Sequence, residues 1–230
     1  MKRGLVLDRV VLLGRTLEEY RRYFALDLES WRGRHILDVA SGVSSFCAEA
    51  SADGLRVTAC DPIYALAADE IEPRCVADLD WVVSSVRGLP TYRWDFYESP
   101  ERMRDFRERA YRTFLDDYRR MGASRYMPGR LPELPFGGAG FDLTLVSYLL
   151  FAYEEQLDYA FHQQAVREIM RMTRGEARLY PVVNFEAQRC VYLDRFRADP
   201  ALAHLKFEEV ETDFEFLRNS NFYLRVTHKG

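Results

Sequence analysis

The segment from Arg34 to Pro62, RHILDVASGVSSFCAEASADGLRVTACDP, constrains the fold of this chain more than any other stretch of its sequence. A short apolar run, RHILDVA, ends in a turn of small residues, and a helical segment then continues to Gly54. A second apolar run, LRVTACDP, follows and ends at the proline. Two buried strands that flank one helix predict a parallel βαβ unit.

Helical patterns lie on both sides of this unit. RTLEEYRRYFALDLESW, residues 15–31, predicts a helix that starts at a capping box of Thr16 and Glu19. Residues 64–122 are also helical in pattern, and we expect breaks at Pro73, at GLP (88–90) and at SPE (99–101). Their last part carries an apolar stripe at a spacing of four, formed by Phe106, Ala110, Phe114 and Tyr118. We expect the arginines around this stripe to lie on a solvated face in i,i+4 pairs.

Alternation of strands and helices resumes after residue 122. The segments predicted as strands are SRYMPGRLPELPF at its start, GFDLTLVSYLLF, EARLYPVV, KFEEVETDFEF and NFYLRVTHK. EEQLDYAFHQQAVREIMRMTRG predicts a long helix that ends at Gly175, and the last two strands predict a hairpin around LRNSN. The fold class is therefore α/β: a doubly wound, mostly parallel seven-stranded sheet with an antiparallel C-terminal hairpin and a helical insertion between strands 2 and 3. We expect one domain over residues 1–230, with a cap helix in 1–30 and an insertion or lid in 65–121.

Composition narrows the functional classes. The net charge of −4 with mixed signs gives no basic footprint for nucleic acid. The longest apolar runs are too short to span a bilayer, and the opening MKRGLVLDRVVLLGR lacks a small-residue cleavage site, so we expect a mature cytoplasmic protein with no membrane partner. The four cysteines show no C-x-x-C spacing and no histidine completes a ligand set, so we expect buried free thiols and no metal.

The turn after the first strand predicts a ligand site. In an open α/β sheet, ligands bind at the carboxyl ends of the strands, and a close approach of backbone needs small residues. DVASGVSS supplies them between Ala40 and Ser45, with Gly42 at the centre. Asp61 ends the second strand, where an acid accepts hydrogen bonds from a ribose diol. Together these features favour a nucleotide-like ligand over a turn that only packs.

Two nucleotide motifs do not fit this turn. The dinucleotide fingerprint G-x-G-x-x-G ends where this chain has Ser45, and no G-x-x-x-x-G-K-[ST] motif is present. The segments ILDVASGVSSF, VTACDP and LPELPFGGAGFDLTLVSYLLF instead resemble the motifs of class I S-adenosylmethionine (SAM)-dependent methyltransferases. The resemblance covers most of the chain outside residues 65–121 and implies SAM as cosubstrate. A narrower likeness, in GRTLEEYRRYFAL and DPIY, is to a bacterial subgroup of such proteins without a settled substrate.

The resemblance implies a set of site residues. Asp38 and the small turn would lie beside the amino-acid end of SAM, and Asp61 would hold the ribose hydroxyls. The cofactor-binding set is Tyr23, Phe24, Asp38, Ala40, Ser41, Gly42, Ser45, Asp61, Pro62, Ile63, Arg130, Leu131 and Ser147. The opening helix would fold over the pocket and bring Tyr20, Tyr23 or Phe24 near SAM. The candidate catalytic residues are Tyr20, Tyr148, Tyr180 and Asn184, which lie in that helix or at strand ends.

The chain departs from the family pattern at three places. Ala40 replaces the first glycine of the turn, and Arg130 stands about where an acid beside adenine is often found. Adenine would then be held by backbone, such as the Leu131 N–H, and by apolar neighbours such as Ile63. SYLLFAY replaces the Asn/Asp-Pro-Pro-aromatic motif, which argues against the nucleic-acid and protein substrates of amino-methylating enzymes.

Three functions remain open on the sequence. The first is methyl transfer to a small molecule, with the insertion as acceptor cover. The second acts on SAM alone: a SAM cyclase or aminocarboxypropyl transferase, in which attack by SAM's own amine gives azetidine-2-carboxylate and methylthioadenosine. The third is a non-catalytic protein that binds SAM or a nucleotide. The sequence decides neither the acceptor nor the oligomeric state.

Overall fold

The computed structural model of the protein describes residues 10–230. The first nine residues, on which part of the expected mature N terminus depends, lie outside the described residues. In the described part, seven strands form one sheet in the order β3-β2-β1-β4-β5-β7-β6. The strands are β1 His35–Val39, β2 Arg56–Cys60, β3 Tyr126–Met127, β4 Phe141–Ser147, β5 Thr173–Tyr180, β6 Leu205–Glu211 and β7 Phe222–His228.

The predicted fold class is confirmed. The pairs β2–β3, β1–β2, β1–β4 and β4–β5 are parallel, and β7 pairs antiparallel with both β5 and β6. The helices are α1 Leu17–Tyr23, α2 Phe46–Ala52, α3 Ala68–Val86, α4 Pro100–Met121, α5 Tyr159–Met172 and α6 Tyr192–Ala198. Helices α3 and α4 form the expected insertion between β2 and β3. Among residues 10–230, no helix is both long and apolar enough to cross a membrane.

Helix α1 is shorter than predicted, although its capping box is confirmed. The Thr16 hydroxyl accepts from the Glu19 N–H, and the Glu19 carboxylate accepts from the Thr16 N–H. The helix ends at Tyr23 because the chain turns at Ala25, which has a φ of +47°. A hydrogen bond from the Leu26 N–H to the Arg21 carbonyl closes this turn. Such a turn usually contains glycine. Because this chain has an alanine there, the sequence did not indicate where the helix ends.

Two other predicted helix boundaries are wrong. Pro73 lies inside α3 and does not break it, because one face of the helix is buried through Ile71, Cys75 and Leu79. Helix α5 ends at Met172, and Gly175 lies inside β5 instead of ending the helix. A Cβ at Gly175 would lie 2.1 Å from the Asp142 carbonyl oxygen, so this glycine permits close contact between strands.

The expected solvated arginine face holds at Arg112 but is wrong at Arg107. Arg112 is exposed and pairs with Glu108 four residues earlier. Arg107 is 2 % exposed, and its Nη1 lies 2.5 Å from Glu19 Oε1, while its Nη2 lies 2.5 Å from the Tyr97 hydroxyl. Glu19 also accepts from Tyr97. The buried carboxylate therefore joins α1 to the helical insertion, which periodicity along one helix could not reveal.

Candidate functional site

The carboxyl edge of the parallel strands opens onto a cavity of about 880 Å³. This volume is in the range of small-molecule sites. The turn after β1 contributes Ala40, Ser41, Gly42 and Ser44, and the end of β2 contributes Asp61, Pro62 and Ile63. The loop after β3 contributes Gly129, Arg130, Leu131 and Pro132, and the end of β4 contributes Ser147, Tyr148 and Leu149. The cavity therefore lies where the sequence predicted a ligand.

Asp61 ties the two adjoining loops together. Its Oδ2 accepts from the Gly42 N–H and its Oδ1 accepts from the Ile63 N–H, both at 2.9 Å. Each carboxylate oxygen has a further lone pair, so the group can still accept from a ligand. Gly42 has a φ of +54°, and a Cβ built on it would meet no atom within 4 Å. The turn thus presents bare backbone beside the carboxylate.

Two carboxyl groups in this region have raised pKa values. Burial raises the pKa of Asp61 to about 6, against the opposing effect of the two backbone hydrogen bonds. Burial also raises the pKa of Asp38 to about 7, opposed by hydrogen bonds from Ser41 and Tyr20 and reinforced by the charge of Asp61. Ionisable groups with strongly shifted pKa values cluster at functional sites.

Asp38 is connected to the cavity through hydroxyl groups. The Ser41 hydroxyl donates to Asp38 Oδ2 at 2.6 Å. The Tyr20 hydroxyl lies 3.0 and 3.1 Å from the two Asp38 oxygens and 3.3 Å from Ser147 Oγ. Ser41 and Ser147 line the cavity, whereas Asp38 and Tyr20 are fully buried behind them. These buried groups fix the orientation of the two serines.

Residues 10–15, here called the N-terminal segment, cover one side of the cavity. The Arg15 N–H donates to Ser44 Oγ at 3.1 Å, and the Arg15 carbonyl accepts from the Ser45 N–H at 3.0 Å. The Leu12 N–H donates to Asp78 Oδ2 at 2.7 Å. A Cβ at Gly14 would lie 2.3 Å from the Val43 carbonyl oxygen, so only glycine permits this close approach.

The structure brings ten of the predicted residues to the cavity and leaves seven outside its lining. Those that line it are Ala40, Ser41, Gly42, Asp61, Pro62, Ile63, Arg130, Leu131, Ser147 and Tyr148. Those packed elsewhere are Tyr20, Tyr23, Phe24, Asp38, Ser45, Tyr180 and Asn184. Their roles in binding or catalysis stay predictions.

The buried members of the predicted set make contacts that explain their position. The Tyr23 and Tyr180 rings stack with centroids 4.4 Å apart, and the Tyr180 hydroxyl donates to Ser220 Oγ at 3.0 Å. The Asn184 side-chain oxygen accepts from the N–H groups of Glu186 and Gln188, both at 3.0 Å. These aromatic and amide groups therefore support the loops around the cavity from behind.

The sequence did not predict many of the residues that line the cavity. The lining residues outside the predicted set are Val10, Val11, Leu12, Leu13, Arg15, Ser44, Ala65, Leu66, Arg74, Gly129, Pro132, Leu149, Tyr153, Leu157, Phe161 and Phe185. Helix α3 of the insertion contributes only Arg74, and α4 contributes no lining residue. The apolar run VVLLG before the capping box was the available signal, since an apolar segment outside a helix needs something to cover. Among residues 10–230, no group of histidine, cysteine or acidic side chains could hold a metal.

Comparison with known proteins gives one clear relative. No protein-family model matches the chain. It is 36% identical over 226 residues to the uncharacterized protein MJ0045 of Methanocaldococcus jannaschii, which covers 97% of this chain and 99% of the relative. That relative is archaeal, so the expected likeness to a bacterial subgroup stays a prediction.

Solved structures also match over most of the chain. The PH0226 protein from Pyrococcus horikoshii is 13% identical with a TM-score of 0.49, covering 92% of this chain and 90% of that one. A TehB-like SAM-dependent methyltransferase from Corynebacterium glutamicum is 18% identical with a TM-score of 0.48, covering 90% and 86%. A Burkholderia thailandensis 1,6-didemethyltoxoflavin-N1-methyltransferase is 16% identical with a TM-score of 0.46, covering 90% and 76%.

Proposed function

We propose that this chain, which belongs to one family with the uncharacterized protein MJ0045 of Methanocaldococcus jannaschii, is a SAM-dependent methyltransferase acting on a small molecule. The observation that carries the proposal is the pairing of Asp61 with the bare backbone of Gly42 at the edge of a parallel sheet. Ligands of such sheets bind at this edge, and an acid after the second strand suits a ribose diol.

The sheet edge fits the three parts of SAM. Asp61 keeps lone pairs for the ribose hydroxyls after accepting from Gly42 and Ile63. Ile63 and Leu131 line the cavity beside it and supply apolar surface for adenine. Ser41 lines the turn, where the amino-acid end would lie. The side chains of Asp61 and Ser41 are already fixed by hydrogen bonds, so little ordering of these two groups is needed on binding.

The remaining wall suits transfer of a methyl group from a sulfonium. Such a transfer is an in-line displacement, in which the protein mainly orients the nucleophile and excludes water. Tyr148 follows β4 and lines the cavity, and one face of its ring is occupied by the Arg15 guanidinium. The opposite face of the ring would stabilise the sulfonium. Leu149, Tyr153 and Phe185 line the same cavity and would exclude water from the acceptor.

The first experiment measures the affinity for SAM by isothermal titration calorimetry. Replacement Asp61→Ala removes the acceptor of the diol, and we expect at least tenfold weaker binding, about 1.4 kcal/mol. Asp53→Ala removes an exposed acid at the other end of the βαβ unit and serves as the matched control. Equal affinities of the Asp61 variant and the wild type would refute the ribose assignment.

The raised pKa of Asp61 also predicts that the affinity for SAM depends on pH. Because its pKa is about 6, the carboxylate is ionised above that pH and protonated below it. A protonated carboxyl loses acceptor strength, so we expect the affinity for SAM to fall as the pH drops from 7 to 5. In the Asp61→Ala variant this part of the pH dependence should be missing.

The reaction type is tested by incubating the protein with SAM alone and analysing the products by mass spectrometry. Intact SAM, with no breakdown products above the spontaneous background, is the result expected of a methyltransferase without its acceptor. Methylthioadenosine with azetidine-2-carboxylate would replace the proposal by SAM cyclisation. Absence of SAM binding by the wild type would replace it by a binding role for another ligand.

A further inference from the structure

One cation on the cavity wall has incomplete hydrogen bonding. Arg15 is 7 % exposed and lines the cavity, and its Nε has no hydrogen-bond partner among residues 10–230. Its Nη1 donates to the carbonyls of Leu13, at 2.7 Å, and Gly14, at 3.4 Å. The nearby Glu19 Oε1 lies 4.0 Å from Nε and is already bonded to Arg107 and Tyr97. A buried guanidinium with unpaired donors is costly unless an anion completes it. Because Nε itself is buried and Nη1 is bonded to carbonyls, an anion in the cavity would bind at Nη2, which forms no hydrogen bond within residues 10–230.

The guanidinium is held in place before any ligand arrives. Its carbon lies 4.3 Å from the centroid of the Tyr148 ring, which orients the planar group. The backbone of Arg15 is bonded on both sides to Ser44 and Ser45. The donor left for a ligand is therefore charged and held in place, and a charged donor binds a carboxylate more strongly than it binds a neutral amide.

The charges around the cavity favour an anion as well. The charged side chains that line it within the described residues are Arg15, Arg74, Arg130 and Asp61. For Arg74 and Arg130, no ion pair or side-chain hydrogen bond is formed with another residue in 10–230. Three cations and one acid give this wall a positive sign, although the chain as a whole carries −4. Such a local reversal concentrates anionic ligands.

The surface beyond Arg15 is apolar. Leu13, Leu149, Tyr153, Leu157, Phe161 and Phe185 line this side of the cavity. A second, small cavity of about 30 Å³ adjoins it, and Leu13, Arg15, Tyr148 and Phe185 line both. A ligand that fills this side would bury an apolar body and place a polar group at the arginine.

We propose that the acceptor of this protein is a small carboxylic acid with an apolar body of about one ring, whose carboxylate is held by Arg15. The inference rests on the proposed function and adds the class of substrate to it. SAM placed at Asp61 and Gly42 leaves the side of the cavity between Tyr148 and Phe185 for the acceptor. Arg15 is then a binding residue that selects acids and fixes their orientation.

The test compares an acid with its neutral amide. Calorimetry measures the binding of 3-phenylpropionate and of 3-phenylpropionamide to the full chain, with and without saturating S-adenosylhomocysteine. We expect the wild type to bind the acid at least tenfold more tightly, which equals about 1.4 kcal/mol. Arg15→Gln should lose this preference, and Arg15→Lys should retain part of it. Arg56→Gln removes an exposed cation at the start of β2 and should keep the full preference.

Three results would overturn the assignment. Equal affinity of the wild type for acid and amide, or binding of neither, would do so without any variant, even if Arg15→Gln failed to fold. Retention of the preference in a folded Arg15→Gln variant would also do so. A loss of S-adenosylhomocysteine binding in Arg15→Gln, with methylthioadenosine binding unchanged, would assign the arginine to the amino-acid carboxylate of the cosubstrate instead.

Failure of this inference is distinct from failure of the proposed function. Wild-type protein that binds S-adenosylhomocysteine but shows no preference for the acid retains the proposed function and loses only the substrate class. Wild-type protein that prefers the acid but does not bind S-adenosylhomocysteine retains the carboxylate site and loses the methyltransferase proposal.

Discussion

The carboxyl edge of the parallel strands and the antiparallel hairpin β6–β7 place their charged groups in opposite ways. At the parallel edge, burial raises the pKa values of Asp38 and Asp61. Beside the hairpin, Arg189 bonds to Asp194 and Glu209, and these bonds lower the pKa values of both acids.

The difference shows in which region the folded protein keeps features that lower its stability. Ionisable groups with pKa values shifted by burial persist only where the surrounding structure holds them, and they concentrate at sites that bind or react. A partly exposed ion-pair network instead adds little to stability. The comparison is therefore an argument for function at the parallel edge, and it can be tested from both sides.

The largest expected effect contrasts a buried arginine with a half-exposed one. Arg107→Ala leaves the buried Glu19 carboxylate without its main partner, and we expect the free energy of unfolding to fall by about 3–5 kcal/mol. Arg189→Ala breaks pairs that water can replace, so we expect a loss of at most about 1 kcal/mol. Urea unfolding followed by circular dichroism measures both. Similar losses in the two variants would remove the contrast between buried and partly exposed ion pairs.

The next effect depends on pH and has opposite signs in the two regions. The pKa of Asp38 is raised to about 7, so its contribution to stability is present in acid and is lost as the pH rises through 7. The free energy of unfolding of Asp38→Asn, measured relative to that of the wild type, should therefore rise by about 3 kcal/mol from pH 5 to pH 8.

Asp194→Asn is the matched change at the hairpin. The pKa of Asp194 is lowered by its bond to Arg189, so its contribution is present at neutral pH and is lost as the pH falls toward the folded pKa. This variant should be most destabilised at neutral pH and least in acid. Unfolding free energies at pH 3, 5 and 8 separate the two patterns, and the same sign in both variants would contradict the assignment.

The smallest expected effect distinguishes backbone strain from the loss of ligand binding. Gly42 and Gly33 both have positive φ values and open space around a built Cβ. Valine at either position should cost about 1–2 kcal/mol of stability through backbone strain. Only Gly42→Val places a side chain in the cavity, so only this variant should also lose SAM binding, by at least tenfold. Equal binding by both variants would show that the turn does not approach the ligand.

Local patterns predicted the sheet because they depend on near neighbours. The alternation of apolar runs and helical segments gave β1, α2 and β2, and the parallel pairing followed from the crossover that such an order requires. The boundaries that failed were those decided by packing. Pro73 is accommodated because the buried face of α3 outweighs one lost hydrogen bond, and Ala25 adopts a left-handed turn that its sequence does not indicate.

For the site, the sequence by itself determined the βαβ turn and the position of Asp61 and Gly42, because strand ends and small residues are visible in one local stretch. Only the tertiary structure decided that Arg15 lies in the cavity and that Arg107 is buried against Glu19. The physical reason is distance along the chain. Arg15 is bonded to Ser44, 29 residues away, and Arg107 is bonded to Glu19, 88 residues away. Burial and partner choice across such separations depend on how the layers pack, which no local periodicity encodes.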